Sequence, residues 1–329
     1  MIGRSNTPYK RLLKPFYEDK IEEPRKMSVT GDQLPNPRSI ALLIHDPMDQ
    51  SSAINNLGVM FGQFVDHDFA LTAATGSGST PLKCSCGSTS PDCVNIPTPE
   101  DDMINTDQDC QVLTRSGASF DKFDCSLNSR EQTNLVTHWL DLSQLYGSDS
   151  NQLNKLRSFR NGRLKTTSIS GLKKEFLPFT TPGKCVDETD DQLCFESGDS
   201  RTSQNMLLVS IHTVWMREHN RIAKKLKRLN RNWNDENLFQ EARRILTAEY
   251  QHVLYNEWLP IILGPNMMRL HELEILPTGH FMKYDESINP HLSTEFSTAA
   301  FRFGHSLLRS TLSKTDNTLQ QFSNLTLGN

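Results

Sequence analysis

Four polar residues that could exchange protons or bind a ligand lie close together in one amphipathic segment. Gln63 and His67 are four residues apart, so on a helix they share a face, which Asp66 borders. Asp68 is rotated by about 100° from His67 and points elsewhere. Histidine titrates near neutral pH and commonly serves as acid and base in enzymes. The alternative is a helix end with a hydrogen-bonded histidine and solvated acids, but the apolar flanking residues argue against it because buried charges need partners.

Oxygen atoms recur at every second residue in the segment 137–143. In an extended chain such residues lie on the same side. They are the side chains of Thr137, Asp141 and Ser143 and the backbone carbonyl of Trp139. Hydroxyl, carboxylate and carbonyl oxygens are the hard ligands that calcium prefers, and Asp68 could supply a second negative charge. The alternative interpretation is a polar strand edge.

Two basic motifs further along the chain are less specific. Arg201 ends the sequence Gly-Asp-Ser-Arg before a predicted helix, a position where arginine is often only a solvated cap. The sequence 301–305, Phe-Arg-Phe-Gly-His, places Arg302 and His305 among aromatic residues. A flat apolar cofactor with an axial histidine would explain His305, and so would an ordinary core histidine, which the spacing alone favours. The dense charges of 217–221 indicate a salt-bridged helix face.

The elements that must position these residues are predicted to be mainly α-helical. Apolar residues recur at steps of three and four, and no strand-like alternation is longer than a few residues. Helices are predicted over 53–72, 149–158, 205–227 and 234–258. Pro260 and Gly264-Pro265 are expected to end the last of these. Residues 1–50 are predicted to be an irregular wrapping segment with a turn at 34–38, and 74–130 a long loop region.

Composition excludes two classes of partner. The 329 residues contain 35 Lys and Arg against 39 Asp and Glu, a net charge of −4 that gives no reason to expect nucleic acid. The longest aliphatic run, Ile40–Ile44, is far shorter than the roughly 20 residues that span a membrane. The length suits about two domains or one large domain.

Seven cysteines lie in the middle of the chain, at positions 84, 86, 93, 110, 125, 185 and 194. Clustered cysteines in loops indicate disulfides in an oxidising compartment or a metal knot in the cytosol. The spacing of Cys84 and Cys86 is too tight for the usual zinc pair, which favours disulfides. The Asn324-Leu325-Thr326 sequon agrees with secretion. The N-terminus lacks the apolar segment of a signal peptide, so we expect the chain to be an incomplete secreted protein.

Seven motifs, in order along nearly the whole chain, resemble the animal haem peroxidase family. They are LPNPR at 34–38, GQFVDHD at 62–68, THWLDLSQLYGS at 137–148, GDSR at 198–201, MREHNRIA at 216–223, EWLPIILG at 257–264 and FRFGHS at 301–306. The resemblance implies the mainly α-helical fold of that family and a single partial haem peroxidase domain over 1–329, with a helical haem- and calcium-binding core over 51–329. The family domain continues beyond the position of residue 329.

The resemblance also assigns roles around a haem b cofactor. His67 matches the distal histidine that transfers protons from hydrogen peroxide, and Gln63 matches the glutamine that holds water or halide beside it. Arg201 matches the arginine that stabilises negative charge during O–O cleavage. His305 matches the proximal ligand of the iron, and Arg302 an arginine that pairs with a haem propionate.

Further ligands follow from the same resemblance. The calcium ligands of the family match Asp68, Thr137, Trp139 through its carbonyl, Asp141 and Ser143. Family members often bind haem through two ester bonds. Asp66 matches the aspartate of one, but Gln204 stands in place of the glutamate, so we expect at most one link. Asn205 replaces a methionine that forms a sulfonium bond in myeloperoxidase.

The family pattern suggests the disulfides Cys84–Cys93, Cys86–Cys110 and Cys185–Cys194. Cys125 is then left free or linked to a second chain. The implied function is reduction of hydrogen peroxide with oxidation of a phenol, tyrosine, halide or thiocyanate in the extracellular space. One alternative is a haem-free, inactive interaction module of the same fold. Another, a non-haem metal hydrolase using residues 66–68, is disfavoured because adjacent helical residues cannot converge on one ion.

Overall fold

The computed structural model describes residues 2–45, 54–77, 80–119, 129–180, 194–309, 311–315, 318 and 320–326. The α-helices are α1 (Pro37–Ile44), α2 (Asn56–Phe69), α3 (Ser143–Tyr146), α4 (Ser150–Leu156), α5 (Met206–Leu229), α6 (Asp235–Val253), α7 (Leu259–Leu270) and α8 (Thr294–Thr298). A π-helical turn, Leu254–Trp258, joins α6 to α7, and a 3-10 helix, Ala300–Leu307, follows α8. The chain is mainly helical, as predicted.

The strands are short and antiparallel. They are β1 (Thr7–Pro8), β2 (Gly76–Ser77), β3 (Thr80–Pro81), β4 (Cys93–Pro97), β5 (Cys110–Thr114), β6 (Ala118–Ser119), β7 (Glu131–Asn134), β8 (Thr311–Thr315) and β9 (Gln321–Thr326). Strand β7 lies between β1 and β6, and the pairs β2–β3, β4–β5 and β8–β9 form hairpins. Strand β1 thereby attaches the N-terminal segment to the chain just before the predicted calcium segment, with Thr7 opposite Asn134.

Helix α2 begins where Asn55 accepts a hydrogen bond from the N–H of Gly58 at 2.9 Å, a typical N-cap. Its apolar side enters the core, where the ring of Phe64 lies 4.8 Å from that of His212 and 5.9 Å from that of Tyr250. The helix ends at Ala70, whose backbone is extended. The core therefore holds α2 rigidly on one side and leaves its polar face for another role.

Helices α5 and α6 supply most of the remaining core. Both begin at asparagine N-caps, Asn205 accepting from the N–H of Leu208 at 2.9 Å and Asn234 from that of Asn237 at 2.8 Å. Their buried apolar residues include Leu208, Ile211, Met216 and Ile222 of α5 and Leu238, Phe239, Ala242 and Leu246 of α6. The predicted starts of both helices are confirmed within one residue, because the caps are visible in the sequence.

The charged face of α5 is only partly as predicted. Glu218 and Arg221 form the expected ion pair, with 2.5 Å between Oε1 and Nη2. His219 instead points inward and is fully buried. Its Nδ1 accepts a hydrogen bond from the hydroxyl of Tyr146 at 2.8 Å, and its Nε2 donates to the carbonyl of Gly162 at 2.9 Å. The burial of His219 could not be predicted from its charged neighbours, because the helix places its side chain on the side opposite to theirs.

The prediction that Pro260 ends the helix begun near residue 234 is wrong, whereas the predicted interruption at Gly264-Pro265 is confirmed. Helical backbone continues from α6 through the π-turn into the first part of α7. Pro260 lies in the first turn of α7, where a missing N–H costs little. The interruption falls at Gly264, whose φ of 76° and ψ of 157° are not helical. Glycine adopts this conformation readily, so the chain bends there and resumes its helix.

The N-terminal segment is less irregular than predicted. The turn expected at 34–38 is the start of α1. Asn36 is the N-cap of this helix and accepts a hydrogen bond from the N–H of Arg38, and Pro37 lies in the first turn. These two residues are helix-start signals, and the proline-rich sequence obscured them. Arg38 donates two hydrogen bonds, of 2.6 and 2.8 Å, to the carboxylate of Asp102. This pair fastens α1 to the loop after the β4 strand.

Two of the three suggested disulfides are present, Cys84–Cys93 and Cys86–Cys110. They join the segment before β4 to both strands of the β4–β5 hairpin. Cys194 is disulfide-bonded; its suggested partner Cys185 and the leftover Cys125 lie outside the described residues. In the part of the chain that the structure describes, no helix has the length and apolar character needed to cross a membrane.

Candidate functional site

A pocket with a volume of about 290 Å³ lies between α2, Trp258 and the 3-10 helix. Every residue predicted to act on peroxide or to hold haem lines this one pocket: Gln63, Asp66, His67, Arg201, Gln204, Arg302 and His305. Apolar walls are provided by Val59, Met60, Trp258 and Phe301. Its volume lies at the lower end of the range of small-molecule sites, and its walls combine apolar and polar groups as such sites do.

Trp258 fixes the apolar wall against α2. Its indole Nε1 donates a hydrogen bond to the carbonyl of Gly58 at 2.8 Å. A Cβ atom at Gly62 would lie 2.8 Å from the Trp258 ring, so the close approach of the two elements requires glycine there. Trp258 was not predicted to be a site residue, because nothing in the order of residues places it beside α2.

His67 is buried and uncharged. Its Nδ1 lies 4.0 Å from Oδ1 of Asp199 and has no hydrogen-bond partner among the described residues. Burial, reinforced by the positive charge of Arg201, lowers the pKa of His67 to about 3, and the negative charge of Asp199 opposes this shift. A neutral imidazole can accept a proton, which is the state that an acid/base role in peroxide cleavage requires.

Arg201 is held by Asp199, a residue that sequence reasoning missed. The backbone N–H of Arg201 and its Nε both donate to Oδ1 of Asp199, at 2.7 and 2.9 Å, and Nη2 donates to Oδ2 at 2.8 Å. Nη2 also donates to the carbonyl of Ala70 at 2.9 Å. Burial acts to raise the pKa of Asp199, but the hydrogen bonds and charge of Arg201 lower it. Asp199 therefore orients the guanidinium and faces His67 as well. Its position two residues before Arg201 was the available signal.

The loop that carries these two residues packs directly on α3. A Cβ atom at Gly198 would lie 2.2 Å from the backbone nitrogen of Gly147 and 2.3 Å from the carbonyl oxygen of Ser143. Both are backbone atoms that cannot move aside as a side chain can. Glycine is thus required at 198 for the loop to reach its place beneath the pocket.

Gly198→Ala is expected to lower the free energy of unfolding by about 1 to 3 kcal/mol, the usual cost of overpacking a filled site. Chemical denaturation measures this change. Gly304→Ala is the matched control, because a Cβ at Gly304 meets nothing within 4 Å. Equal stabilities of the two variants would show that the loop is not packed on α3 as described.

Asp66 presents a free carboxylate oxygen inside the pocket. Its Oδ1 is buried without a hydrogen-bond partner among the residues described, and its Oδ2 lies 3.9 Å from Nη1 of both Arg201 and Arg302. Burial raises its pKa, while the charges of Arg302 and Arg201 oppose the increase. A buried polar atom left unsatisfied commonly marks a place where a ligand binds.

Arg302 and His305 enter the pocket from the 3-10 helix, opposite α2. The ring of Phe301 lies 5.5 Å from that of Phe69 and 6.4 Å from that of Trp258, which ties this helix to α2 and to the apolar wall. His305 is exposed in this chain, as is the Arg302 side chain at 42%. A histidine and an arginine are therefore available to a ligand that fills the space between the two helices.

Gln63 is bound on both sides by other amides. Its Nε2 donates to Oε1 of Gln204 at 3.1 Å, and its Oε1 accepts from Nδ2 of Asn205 at 3.2 Å. From the sequence, Gln204 and Asn205 were identified only as replacements for residues that bind haem covalently in the family. The structure places them in contact with the glutamine predicted to hold water or halide.

Asp68 leaves α2 on the side away from the pocket, as the helix geometry predicts. It is completely buried and accepts hydrogen bonds from the N–H groups of Leu142 and Ser143, at 3.2 and 2.6 Å. Thr137 Oγ1 donates to Oδ1 of Asp141 at 3.0 Å. Burial and then the charge of Asp141 raise the pKa of Asp68 well above its usual range. The buried carboxylate of Asp68 and the partly buried one of Asp141 repel each other and form a donor set that a divalent cation would neutralise.

This set contains only two acidic residues. No group of three or more His, Cys, Asp or Glu suited to a metal ion occurs within the described ranges. The remaining predicted ligands are the hydroxyls of Thr137 and Ser143 and the carbonyl of Trp139, which are oxygen donors of the type calcium accepts. The calcium site therefore stays a prediction with compatible chemistry.

The family model described as animal haem peroxidase matches residues 1–329. The chain is 38% identical over 320 residues to a chorion peroxidase of Aedes aegypti, covering 93% of this chain and 40% of the relative. It is 34% identical to a peroxidasin homolog of Mus musculus, covering 96% of this chain and 22% of the relative. The chain thus spans about two fifths, or less, of the length of these relatives.

Solved structures give the same picture of the fold. Peroxidase A from Dictyostelium discoideum superposes with a TM-score of 0.72 at 25% identity, covering 99% of this chain and 60% of that chain. A fatty acid alpha-dioxygenase of Arabidopsis thaliana superposes with a TM-score of 0.70 at 17% identity, covering 99% of this chain and 49% of that chain. The second likeness concerns the fold alone.

Proposed function

Because this chain belongs to the animal haem peroxidase family, we propose that its pocket binds haem b and reduces hydrogen peroxide. The oxidised donor would be a phenol, a tyrosine side chain, a halide or thiocyanate. The observation that carries the proposal is the convergence of Gln63, His67, Arg201 and His305 on one pocket. An interaction module without haem would need none of these four side chains in a common cavity.

The pocket residues suit haem in shape and charge. His305 would hold the iron, and Arg302 would pair with a propionate. Asp66, with its unpaired Oδ1, would provide at most one ester link, since the amide of Gln204 cannot form the second. Bound haem supplies the redox chemistry that reduces peroxide and oxidises the donor.

The protein's own contribution is proton transfer and charge stabilisation. Nδ1 of His67 faces the carboxylate of Asp199, which favours the proton on Nδ1 and leaves Nε2 as the base. Nε2 would take a proton from peroxide and return it to the leaving oxygen. Arg201 would stabilise the negative charge that develops there, and its bonds to Asp199 hold the guanidinium in a fixed orientation.

Peroxide-dependent oxidation of a simple phenol tests this proposal. The protein supplied with haem should turn over the phenol only when both haem and peroxide are present. The competing function, a haem-free extracellular module, predicts no haem uptake by the folded protein. Haem content and phenol oxidation measured on the same sample separate these outcomes. The two disulfides support an extracellular location, because such bonds persist in oxidising compartments.

We further propose that calcium binds between α2 and the segment 137–143. Such an ion would link Asp68, one residue after His67, to Asp141 and Ser143. It would therefore hold the helix that carries the acid/base.

One calcium ion per chain is expected, and chelation should lower the free energy of unfolding. At a hundredfold excess of calcium over its Kd the ion would contribute about 2.7 kcal/mol. Asp141→Asn should lose the ion, whereas Asp109→Asn, at an exposed position, should retain it. Atomic emission of gel-filtered protein and denaturation with and without chelator provide the measurements. Equal calcium content in both variants would contradict the assignment.

A further inference from the structure

Three amide side chains form a directed hydrogen-bond chain between the start of α5 and the pocket. The N–H of Leu208 donates to Oδ1 of Asn205 at 2.9 Å. Nδ2 of Asn205 donates to Oε1 of Gln63 at 3.2 Å. Nε2 of Gln63 then donates to Oε1 of Gln204 at 3.1 Å. Asn205 and Gln63 thus each accept one hydrogen bond and donate the next, and Gln204 accepts the last.

The backbone of α5 sets the direction of this chain. An amide side chain has a donor end and an acceptor end, and a half turn would exchange them. The N–H of Leu208 can only donate, so it fixes the oxygen of Asn205 toward the helix and the nitrogen toward Gln63. Gln63 must then direct its oxygen to Asn205 and its nitrogen to Gln204. The orientation of a pocket side chain is thereby determined at a helix N-cap.

The orientation of the Gln63 amide determines whether a donor or an acceptor faces the pocket. The nitrogen of an amide carries two hydrogens, and Gln204 accepts only one of them from Gln63. The second N–H remains for a ligand in the pocket, which Gln63 lines one helical turn from His67. A free N–H binds anions and the lone pairs of water, whereas a free carbonyl oxygen would repel an anion.

We propose that Asn205 is a positioning residue, which holds Gln63 with a donor toward the pocket and so favours small anionic donors such as iodide or thiocyanate. The inference rests on the proposed peroxidase function and concerns the selection of its donor. Asn205 does not line the pocket; it acts through Gln63. The same asparagine caps α5, so helix formation and the polarity of the site depend on one side chain.

Two isosteric substitutions test the direction while adding the same charge. Asn205→Asp still caps α5, because aspartate is as good an N-cap as asparagine. Its second oxygen can only accept, so Gln63 must turn over and direct its own nitrogen to it. Gln204→Glu also introduces a carboxylate next to Gln63, but that carboxylate accepts from Nε2 of Gln63 as Gln204 does. The direction of Gln63 is reversed in the first variant and retained in the second.

The measurement is the Kd of thiocyanate for the ferric, haem-loaded protein without peroxide, obtained by absorbance titration. Asn205→Asp should weaken binding by at least about tenfold more than Gln204→Glu does, the value of one hydrogen bond to a charged group. The melting temperatures of the two variants should be similar. Equal weakening in both variants would mean that added charge alone is responsible, and no weakening in either would mean that Gln63 does not bind the anion. Both results would overturn the proposal.

A second readout needs no haem and separates this proposal from the proposed function. Side-chain amide resonances of Gln63 in ¹⁵N spectra of the haem-free protein report its hydrogen-bond partners. Asn205→Asp should shift both amide protons, and Asn237→Asp, at an exposed position in the first turn of α6, should leave them unchanged. Unshifted resonances would overturn the hydrogen-bond direction itself. Failure of the parent protein to take up haem, with the shift present, would instead refute the peroxidase function.

Discussion

His67→Ala is expected to slow the reaction of the haem-loaded protein with hydrogen peroxide by about 10² to 10⁴-fold, the range typical of a lost general acid/base. Alanine removes the proton acceptor at Nε2, while Arg201 remains fixed by Asp199. Haem should stay bound, because the iron ligand is assigned to His305 on a different helix. Stopped-flow absorbance with excess peroxide gives the second-order rate constant directly.

A histidine outside the pocket provides the control for this result. His252 lies on the surface of α6, away from the pocket that His67 lines. His252→Ala should react with peroxide at the parental rate. An unchanged rate in His67→Ala, with full haem content, would show that another group transfers the proton and would overturn the distal assignment.

A second large effect concerns stability in acid. His219 is buried, and burial is the main cause that lowers its pKa from 6.5 to about 4. Below pH 6.5 the unfolded chain binds a proton that the folded chain does not. The stability contributed by neutral His219 is therefore complete above pH 6.5 and is lost as the pH falls toward 4, by up to about 1.4 kcal/mol per pH unit. His212, whose pKa burial lowers to about 4 as well, acts in the same direction.

His219→Gln isolates this contribution. Glutamine can accept from the Tyr146 hydroxyl and donate to the Gly162 carbonyl, as neutral His219 does, but it cannot be protonated. We expect the stability difference between the parent and His219→Gln to shift by about 2 kcal/mol in favour of the variant between pH 7 and pH 5. The acids Asp66, Asp68 and Asp141 titrate in both proteins, so their effect cancels in this comparison.

Denaturant titrations at several pH values, with calcium present, measure this difference. His271→Gln, at an exposed position, is the control and should follow the parent at every pH. A difference between the parent and His219→Gln that does not change with pH would contradict the neutral, buried state of His219.

The sequence predicted those parts of the site that depend on helix periodicity. Gln63, Asp66 and His67 were placed on one side of α2 and Asp68 on another, and the structure has them so, because residues three and four apart share a face. The disulfides Cys84–Cys93 and Cys86–Cys110 followed from the family pattern. The meeting of α2 with Arg201 and His305 followed from the resemblance alone, since no local pattern states which distant segments pack together.

The features that were missed depend on tertiary contacts. Asp199 carries no helical or strand signal, and its part in the site is visible only once it lies between Arg201 and His67. From the sequence, Asn205 marks only the start of a helix. The contact of its Nδ2 with Gln63 is visible only in the structure. The failed helix end at Pro260 has a different cause. The sequence alone does not distinguish a proline in the first turn of a helix from a proline that ends one. Only the conformation of the adjoining backbone does so.

We propose that the pocket binds haem with His305 as the iron ligand, and an absorbance spectrum tests this assignment. The folded protein supplied with haem should show a Soret band whose position changes or whose intensity is lost in His305→Ala. His280→Ala, at an exposed position on the segment before α8, should retain the parental band. A band of unchanged position and intensity in His305→Ala, with the fold confirmed by circular dichroism, would show that His305 does not bind the iron.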